Sequence, residues 1–260
     1  MDMDQFPKEF SDCLTDYGLQ LLYQRQPRDK LPISSFLAIA GAIRTDFCER
    51  AYQLLNRSLR PHLELLERPI PDFTIWNMVS NYKERLPKVV RMQTAYLDSI
   101  QHITYRIAKE IGLLEFLSSL SYQQFVRQIT GHKFRKKPGH QVLCYEEGDY
   151  IGPHNDHHPE DPEAAAGYLD CHISLVGTGV SHQWLIYEKN GHFSQSQPVH
   201  ETGLITLYHL PFWHYTTPLV VNVRAKAAEK RRWVLLGTFL FDRRGGKTAK
   251  QGQPLQTISS

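Results

Sequence analysis

The sequence predicts an α+β, mainly β protein in which helices of the first half pack on a jelly roll formed by the second half. From about residue 137 onward, hydrophobic residues alternate with a period of two, and Gly, Pro and Asn separate the apolar runs. These β-rich runs are HQVLCY, YLDCHISLV, HQWLIYE, HFSQS, GLITLYHL, TPLVVNV and RWVLLGTFLF. Such a series of short strands is typical of a double-stranded β-helix, the jelly-roll form that encloses a site between two sheets.

The first half of the chain is predicted to be helical. From Ser35 to about Leu59, apolar residues recur at steps of three and four and form one stripe. A second stripe runs from Val89 to Ile107, and a third follows in IGLLEFLSSLSYQQFVRQI. Between the first two, ERPIPDFTIWNMVSNYKERLP is expected to be a Pro-bounded loop that carries a turn or a short strand. We expect these helices to pack on one face of the sheet and to leave the mouth of the barrel open.

Three regions are predicted along the chain. Residues 1–136 form a helical region that packs on the barrel, and residues 137–244 form the double-stranded β-helix core. Residues 245–260 are polar and rich in Gly and Gln, which predicts a disordered tail. The helical region is expected to be an integral part of the fold and not a separate module.

The composition is that of an ordinary globular protein, with 41% hydrophobic and 22% charged residues. The net charge of +3 is too small to indicate a nucleic-acid partner. The 4 cysteines have no metal-like spacing, so free thiols are expected. No apolar run reaches transmembrane length, and the opening MDMDQFPKEF does not have the pattern of a signal sequence. We therefore expect a cytoplasmic protein with no membrane partner.

Two histidines and an aspartate are the most informative residues. His154 and Asp156 form a His-x-Asp pair in GDYIGPHNDHHPED, and His214 lies in LYHLPFWHYTTPL. In an extended strand, residues i and i+2 point to the same side, so the pair can converge on one ion. Imidazoles and a carboxylate suit Fe(II) and leave coordination positions open, without the thiolates that select zinc or copper. The pair alone is a weak signal, because His-x-Glu spacings also occur at His62 and His158.

The order of the surrounding segments resembles that of the Fe(II)/2-oxoglutarate-dependent oxygenases, especially their prolyl-hydroxylase-like branch. Between residues 139 and 243, an apolar strand ends at Tyr145, nine residues before His154. An acidic loop, a second strand and a hairpin-like pair of strands follow. The segment of His214 then begins with a glycine and places Pro218 four residues after the histidine. His209 is a rival for this distal histidine, but it lacks a proline at that distance.

The resemblance implies a ligand set and a co-substrate. His154, Asp156 and His214 would bind Fe(II), and 2-oxoglutarate would be consumed with O2 while a C–H bond of the substrate is oxidised. The resemblance also implies that Tyr145 and Ser174 contact 2-oxoglutarate, because they occupy positions where the family places hydroxyl groups in the co-substrate pocket.

A basic residue is implied for the distal carboxylate of 2-oxoglutarate, since a planar guanidinium matches a carboxylate. Arg232 is favoured because it directly precedes Trp233 at the start of a clear strand. It lies further beyond His214 than the family's basic residue usually does, whereas Arg224 lies at the familiar distance. Arg224 and Arg231 therefore remain alternatives.

The substrate is left open by the sequence, because specificity in such folds depends on loops and added helices. We favour hydroxylation of a small molecule, such as an amino acid or a natural product, because no peptide-binding module is visible. A protein side-chain hydroxylase of the prolyl type is the alternative. Two hypotheses from other classes remain. One is a non-enzymatic jelly-roll binding protein. The other is a zinc hydrolase with the same three ligands, in which Arg232 would have no role. Dependence on 2-oxoglutarate separates these cases.

Overall fold

The computed structural model describes residues 4–23, 36–69, 89–135, 138–156 and 167–242. Its α-helices in these ranges are α1 (Asp16–Tyr23), α2 (Thr45–Ser58), α3 (Ile103–Glu110), α4 (Leu113–Ser118) and α5 (Leu120–Thr130). Its first five strands are β1 (Phe36–Ile39), β2 (Glu64–Pro69), β3 (Val89–Tyr96), β4 (Gly139–Tyr145) and β5 (Tyr150–Ile151). The later strands are β6 (Tyr168–Val176), β7 (Val180–His182), β8 (Trp184–Lys189), β9 (His192–Pro198), β10 (Ile205–Leu210), β11 (His214–Thr216), β12 (Val220–Val221) and β13 (Arg232–Leu240).

The strands form one large antiparallel sheet and two small ones. The large sheet has the order β1-β10-β6-β13-β4-β3-β2, with β5 paired to β3. The small sheets have the orders β11-β8-β9 and β12-β7. Residues of β8 and β11 and residues of the large sheet line the two sides of one cavity. This arrangement confirms the predicted jelly roll, in which a site lies between two sheets.

Strand β13 shows how the sequence builds both layers. Its side chains alternate between the two faces of the sheet. Trp233 and Leu235 are fully buried in the core that the helices share with the sheet. Val234 and Leu236 point the other way and line the cavity. The helices therefore cover the outer face of the large sheet, and its inner face is left for the site.

The prediction of a helix from Ser35 to Leu59 is wrong in its first part. Residues Phe36–Ile39 form β1, which pairs with β10, and α2 begins only at Thr45. Phe36 and Ile39 have a spacing that fits a helix, but four residues are too few for the period to distinguish a helix from a strand. Gly41, with φ 73°, then turns the chain before the helix.

The second predicted helix is also wrong over most of its length. Residues Val89–Tyr96 form β3, and a helix begins only at Ile103. Val90 and Met92 line the cavity at i and i+2, which is the strand period and not the helical one. The third predicted helix is confirmed, with a break at Ser119, whose hydroxyl accepts a hydrogen bond from the backbone N–H of Tyr122 at the start of α5.

The large sheet takes β1, β2 and β3 from the part of the chain before residue 137, so strands from both sides of that position share one sheet. The division into residues 1–136 and 137–244 stays a prediction. The predicted disordered tail (245–260) and most of the predicted Pro-bounded loop (70–87) lie outside the described residues. The cysteines are buried and free. Among the described helices, none is long and apolar enough to cross a membrane.

Candidate metal centre and co-substrate pocket

His154 and His214 lie side by side at the edges of the two layers. Their backbones form an isolated antiparallel bridge, with N–H groups donating to carbonyl groups in both directions at 3.0 and 2.9 Å. The two rings are 4.2 Å apart between centroids. Residues that are 60 positions apart in sequence are thus held together by the backbone, so their side chains need no ion to meet.

Both imidazole rings are oriented by a backbone carbonyl two residues earlier. Nδ1 of His154 lies 2.8 Å from the carbonyl oxygen of Gly152, and Nδ1 of His214 lies 2.6 Å from that of Phe212. Since a carbonyl oxygen only accepts, each Nδ1 carries the proton and each Nε2 keeps a lone pair in the neutral ring. This is the arrangement by which proteins fix the tautomer of metal-binding histidines.

Asp156 completes the cluster. Its Oδ2 lies 3.4 Å from Nε2 of His154 and 3.8 Å from Nε2 of His214. Its backbone has φ 51°, a left-handed conformation that is uncommon for a residue other than glycine. The hydroxyl of Tyr168 donates to the backbone carbonyl of Asp156 and holds the turn in place. The three predicted ligands therefore converge, with one candidate ligand atom from each within 4.8 Å of the others.

The electrostatics of the cluster suit a cation. Burial alone would lower the pKa of His154, but the neighbouring Asp156 carboxylate outweighs it and raises that pKa. Burial, followed by the charge of His154, lowers the pKa of His214 to about 4. His214 is consequently neutral at physiological pH and able to act as a ligand through Nε2.

The cluster lies in the wall of a cavity of about 360 Å³ between the sheets. At one end of this cavity is Arg232, the first residue of β13, which is 3% exposed. Its Nη1 donates to Oε1 of Gln183 at 2.9 Å, and its Nη2 donates to Oγ of Ser174 at 3.0 Å. The guanidinium also lies over the ring of Tyr145, 5.3 Å from the centroid.

Arg232 is a buried cation without a carboxylate partner among the described residues. It forms no salt bridge there, and its Nε has no hydrogen-bond partner in the part of the chain that the structure describes. Burial lowers its pKa to about 10, so the group is still charged at neutral pH. A buried charge is costly unless it is paired, and this one faces a cavity that can admit an anion.

The two alternative arginines lie elsewhere. Arg231 forms a salt bridge with Glu146 and contacts Asn56 of α2, on the helix side of the sheet. Arg224 is exposed in the segment between β12 and β13. Of the three candidates, Arg232 is the one that lines the cavity.

Tyr145 and Ser174 lie beside Arg232 but in different positions. Tyr145 lines the cavity, and burial raises its pKa to about 12, so its hydroxyl stays protonated and able to donate. Ser174 is 1% exposed and supports the guanidinium from behind, and it does not itself line the cavity. Its position predicts an indirect contribution to the pocket, through Arg232.

Sequence reasoning missed several residues of the site. Gln183 is fully buried, and it accepts from Arg232 while its own amide donates to the carbonyl of Thr217 at 3.0 Å. The hydroxyl of Tyr208 lies 3.1 Å from Nε2 of His172 and 3.3 Å from Nε2 of His214. Alternation along β6 and β10 could have placed Tyr208 and His172 on the inner face, but their contact with the ligands depends on strand register.

His209, the rival for the third ligand, lies on the other side of its strand. Its ring contacts His132 and Phe241, at centroid distances of 4.8 and 5.2 Å. Because successive residues of a strand point to opposite faces, Tyr208 faces the cavity and His209 faces away. His209 therefore does not belong to the metal cluster.

Comparisons with known proteins agree with this architecture. No family model and no curated protein matches the chain. Among solved structures, an oxidoreductase of the 2OG-Fe(II) oxygenase family from Burkholderia pseudomallei is similar, with TM-score 0.51 and 12% identity over 89% of this chain and 90% of that chain.

Two further structures are similar at lower scores. A Pseudomonas putida prolyl-4-hydroxylase has TM-score 0.47 and 13% identity, over 82% of this chain and 96% of that chain. The non-heme α-ketoglutarate-dependent epimerase SnoN from nogalamycin biosynthesis has TM-score 0.47 and 13% identity, over 92% and 93%.

The likeness to the Burkholderia pseudomallei protein shows the fold: this chain has the jelly roll of the 2OG-Fe(II) oxygenases. At such low sequence identity, the activity has to be argued from the residues of the site. The cluster of His154, Asp156 and His214 is compatible with iron binding.

Proposed function

We propose that this protein is an Fe(II)- and 2-oxoglutarate-dependent dioxygenase. The observation that carries the proposal is the combination, in one cavity, of the His154–Asp156–His214 cluster with the buried cation of Arg232, which has no carboxylate partner in the described part of the chain. A cluster of two imidazoles and one carboxylate binds a divalent metal on one side and leaves the other side open. A dicarboxylate can then reach the ion with one end and the guanidinium with the other.

The residues of the chain have separate tasks in this proposal. His154 and His214 present Nε2 lone pairs, because the carbonyls of Gly152 and Phe212 hold the Nδ1 protons. Asp156 supplies the negative charge that offsets part of the charge of the ion. When bound there, Fe(II) together with 2-oxoglutarate supplies the O2-dependent oxidation of a C–H bond, with release of succinate and CO2.

Arg232 anchors the distal carboxylate of 2-oxoglutarate. Gln183 and Ser174 each accept one of its N–H groups, which fixes the plane of the guanidinium. Fixing that plane lowers the entropy lost when the carboxylate binds. Tyr145 covers one face of the guanidinium and keeps water away from it.

The substrate that this cavity favours is a small molecule. A volume of about 360 Å³ is in the range of ligand pockets for small compounds, and it must hold the co-substrate as well. Hydroxylation of an unactivated C–H bond is the reaction we propose for that substrate.

Binding of 2-oxoglutarate tests the proposal. Under anaerobic conditions, the Fe(II)-loaded protein is titrated with 2-oxoglutarate while the weak visible metal-to-ligand charge-transfer band is recorded. We expect a band that saturates in the wild type and is absent in His214→Ala. In Arg232→Ala, the band should require about ten- to a hundredfold more 2-oxoglutarate, which is the cost of losing a charged hydrogen-bonded pair.

Arg224→Ala is the matched control, because it removes an exposed arginine that lies outside the cavity. It should titrate like the wild type. If iron is demonstrably bound and no band appears in the wild type, the dioxygenase proposal fails, and the hydrolase and binding-protein hypotheses take its place.

A further inference from the structure

Asp170 is an acidic residue on β6, an inner strand of the large sheet. It lies on β6, between Tyr208 of β10 and Thr238 of β13 in the register of the two pairings. It is 6% exposed, and its side chain lines the same cavity as the metal cluster. Burial of a carboxyl group is costly in free energy unless the group is hydrogen-bonded or paired with a cation.

The carboxyl group of Asp170 has little to compensate for its burial. The hydroxyl of Thr238 donates to Oδ1 at 2.7 Å, and this is its one hydrogen bond among the described residues. None of the described cations forms a salt bridge with it. A carboxylate can accept about four hydrogen bonds, so most of its capacity faces the cavity unused.

The surroundings of Asp170 favour the neutral form of its carboxyl group. Burial, followed by the charge of Asp156, raises the pKa of Asp170 to about 8. The charged form is therefore disfavoured by the protein itself, and a cation placed in the cavity would stabilise it.

Asp170 and Arg232 line well-separated parts of the cavity. On β13, Thr238 pairs with Asp170 and lies six residues from Arg232, which is roughly 20 Å along an extended strand. His172 lies between them on β6, where Tyr208 connects it to the metal ligand His214. The cavity thus contains the cation of Arg232, the metal cluster and the carboxyl group of Asp170.

Further polar groups line the cavity. Gln141 and Tyr96 face each other in the pairing of β4 with β3, and both line it. Tyr96 is 62% exposed, so the cavity opens toward solvent beside it. Arg68, also exposed, lines the cavity as well and adds a positive charge to the wall.

We propose that Asp170 determines substrate specificity by binding a cationic nitrogen, such as an ammonium group, of a small molecule. This inference rests on the proposed function, because the carboxylate would hold the substrate in the cavity of the metal cluster, away from the 2-oxoglutarate anchor at Arg232. A carbon near the bound nitrogen would then face the ion. Asp170 takes no part in the bond-breaking step and acts by positioning the substrate.

Calorimetric binding tests the role of Asp170 without catalysis. The protein is loaded with Mn(II) and 2-oxoglutarate and is titrated with L-prolinamide and putrescine as cationic probes. N-acetyl-L-prolinamide and 1,4-butanediol serve as their neutral counterparts. L-Proline and L-lysine, which also carry a carboxylate, then show whether Arg68 favours an anionic group beside the ammonium. We expect a cationic probe to bind the wild type at least about tenfold more tightly than its neutral counterpart.

Asp170→Asn should lose this preference, because it keeps the shape and removes the charge. Asp170→Thr is a second neutral variant that suits a strand, in case the amide disturbs folding. Asp16→Asn, which removes an exposed carboxylate on α1, should bind like the wild type. Equal affinity for cationic and neutral probes in the wild type would overturn the inference, as would an unchanged preference in both variants of Asp170.

The same variants separate this inference from the proposed function. Asp170→Asn should keep the 2-oxoglutarate charge-transfer band, because Asp170 lies away from Arg232 and is not one of the three clustered ligands. A band in the wild type without any preference for cations would overturn the role of Asp170 and leave the dioxygenase proposal intact. A preference that depends on Asp170 in a protein without the band would support the cation site and overturn the dioxygenase proposal.

Discussion

Arg231 and Arg232 are neighbours in the chain, but their guanidinium groups lie on opposite faces of the large sheet. Arg232 faces the cavity and is held by Gln183 and Ser174. Arg231 faces the helices, where its Nε lies 2.8 Å from Oε1 of Glu146. Because successive side chains in a strand alternate, two adjacent arginines serve the site and the scaffold separately.

Removing Arg231 should therefore lower the stability of the fold and leave the binding of 2-oxoglutarate unchanged. Burial alone would raise the pKa of Glu146, but the hydrogen bonds from Arg231 and Arg60 outweigh it and lower that pKa. Arg231→Ala should cost roughly 1 kcal/mol in the free energy of unfolding, since the pair is partly exposed. Chemical denaturation measures this loss, and the titration of the charge-transfer band should match the wild type.

The pH dependence of that loss follows from the lowered pKa. A carboxyl group whose pKa is lower in the folded protein stabilises it above the unfolded value of 4.5, and this contribution is lost as pH falls through the folded value. The difference between Arg231→Ala and the wild type should be largest at neutral pH and shrink in acid. A difference that grows in acid would contradict this assignment of Arg231.

Gln183 should matter for 2-oxoglutarate although it does not line the cavity. Its side-chain oxygen accepts from Arg232, and its amide is itself held by backbone carbonyls. Gln183→Leu removes this support, and we expect about tenfold weaker binding of 2-oxoglutarate with the affinity for the metal unchanged. Gln124→Leu, at an exposed position on α5, is the control. Loss of metal binding in Gln183→Leu would indicate a structural role instead.

Divalent metal should stabilise the fold through the predicted ligands. A ligand that binds only the folded state adds about 2.7 kcal/mol at a hundredfold excess over its Kd, which is at least about 5 °C in Tm for a chain of this size. Thermal unfolding with and without Mn(II) should show this increase, and a chelator should reverse it. His154→Ala should show no increase, whereas His192→Ala, at an exposed position of β9, should behave like the wild type. A full increase in His154→Ala would place the ion elsewhere.

His209 should lower the free energy of unfolding, because its ring is buried in the core. It is 3% exposed, and neither ring nitrogen has a hydrogen-bond partner among the described residues. His209→Phe should raise the free energy of unfolding by about 1 kcal/mol, because it removes unsatisfied polar atoms and keeps a ring beside Phe241.

The stabilisation by His209→Phe should increase as the pH falls. Burial, followed by the charge of His132, lowers the pKa of His209 from 6.5 to about 4. The unfolded chain therefore binds a proton more readily, and the folded protein loses stability as pH falls from about 6.5 to about 4. Denaturation curves at neutral pH and near pH 5 should show the gain of His209→Phe increasing in acid. An equal gain at both pH values would contradict the lowered pKa.

The sequence predicted the jelly roll because the pattern of its strands is local. The seven period-two runs after residue 137 correspond to strands β4, β6, β8, β9, β10, β12 and β13. His154 and Asp156 converge as predicted, but Asp156 lies in a left-handed turn and not in an extended strand. The strands at Phe36–Ile39 and Val89–Tyr96 were missed because short apolar runs fit either period. Their partners in the sheet decide their structure, and those partners are distant in sequence.

The details of the pocket could not be predicted for the same reason. The sequence favours Arg232 over Arg224 and Arg231 because Trp233 follows it directly. Its burial beside Tyr145, however, depends on the register of β13 with β4. Gln183 and Asp170 carry no motif. Their importance follows from their contacts: Gln183 accepts a hydrogen bond from the buried guanidinium of Arg232, and among the described residues the carboxyl group of Asp170 has no cationic partner.

The most direct test of the central claim is an anaerobic crystal structure of the protein with Fe(II) and 2-oxoglutarate. We expect the ion to be bound by Nε2 of His154, Nε2 of His214 and the carboxylate of Asp156. The distal carboxylate of 2-oxoglutarate should accept hydrogen bonds from Arg232. An ion held by other residues, or a 2-oxoglutarate molecule whose distal carboxylate lies away from Arg232, would contradict the account.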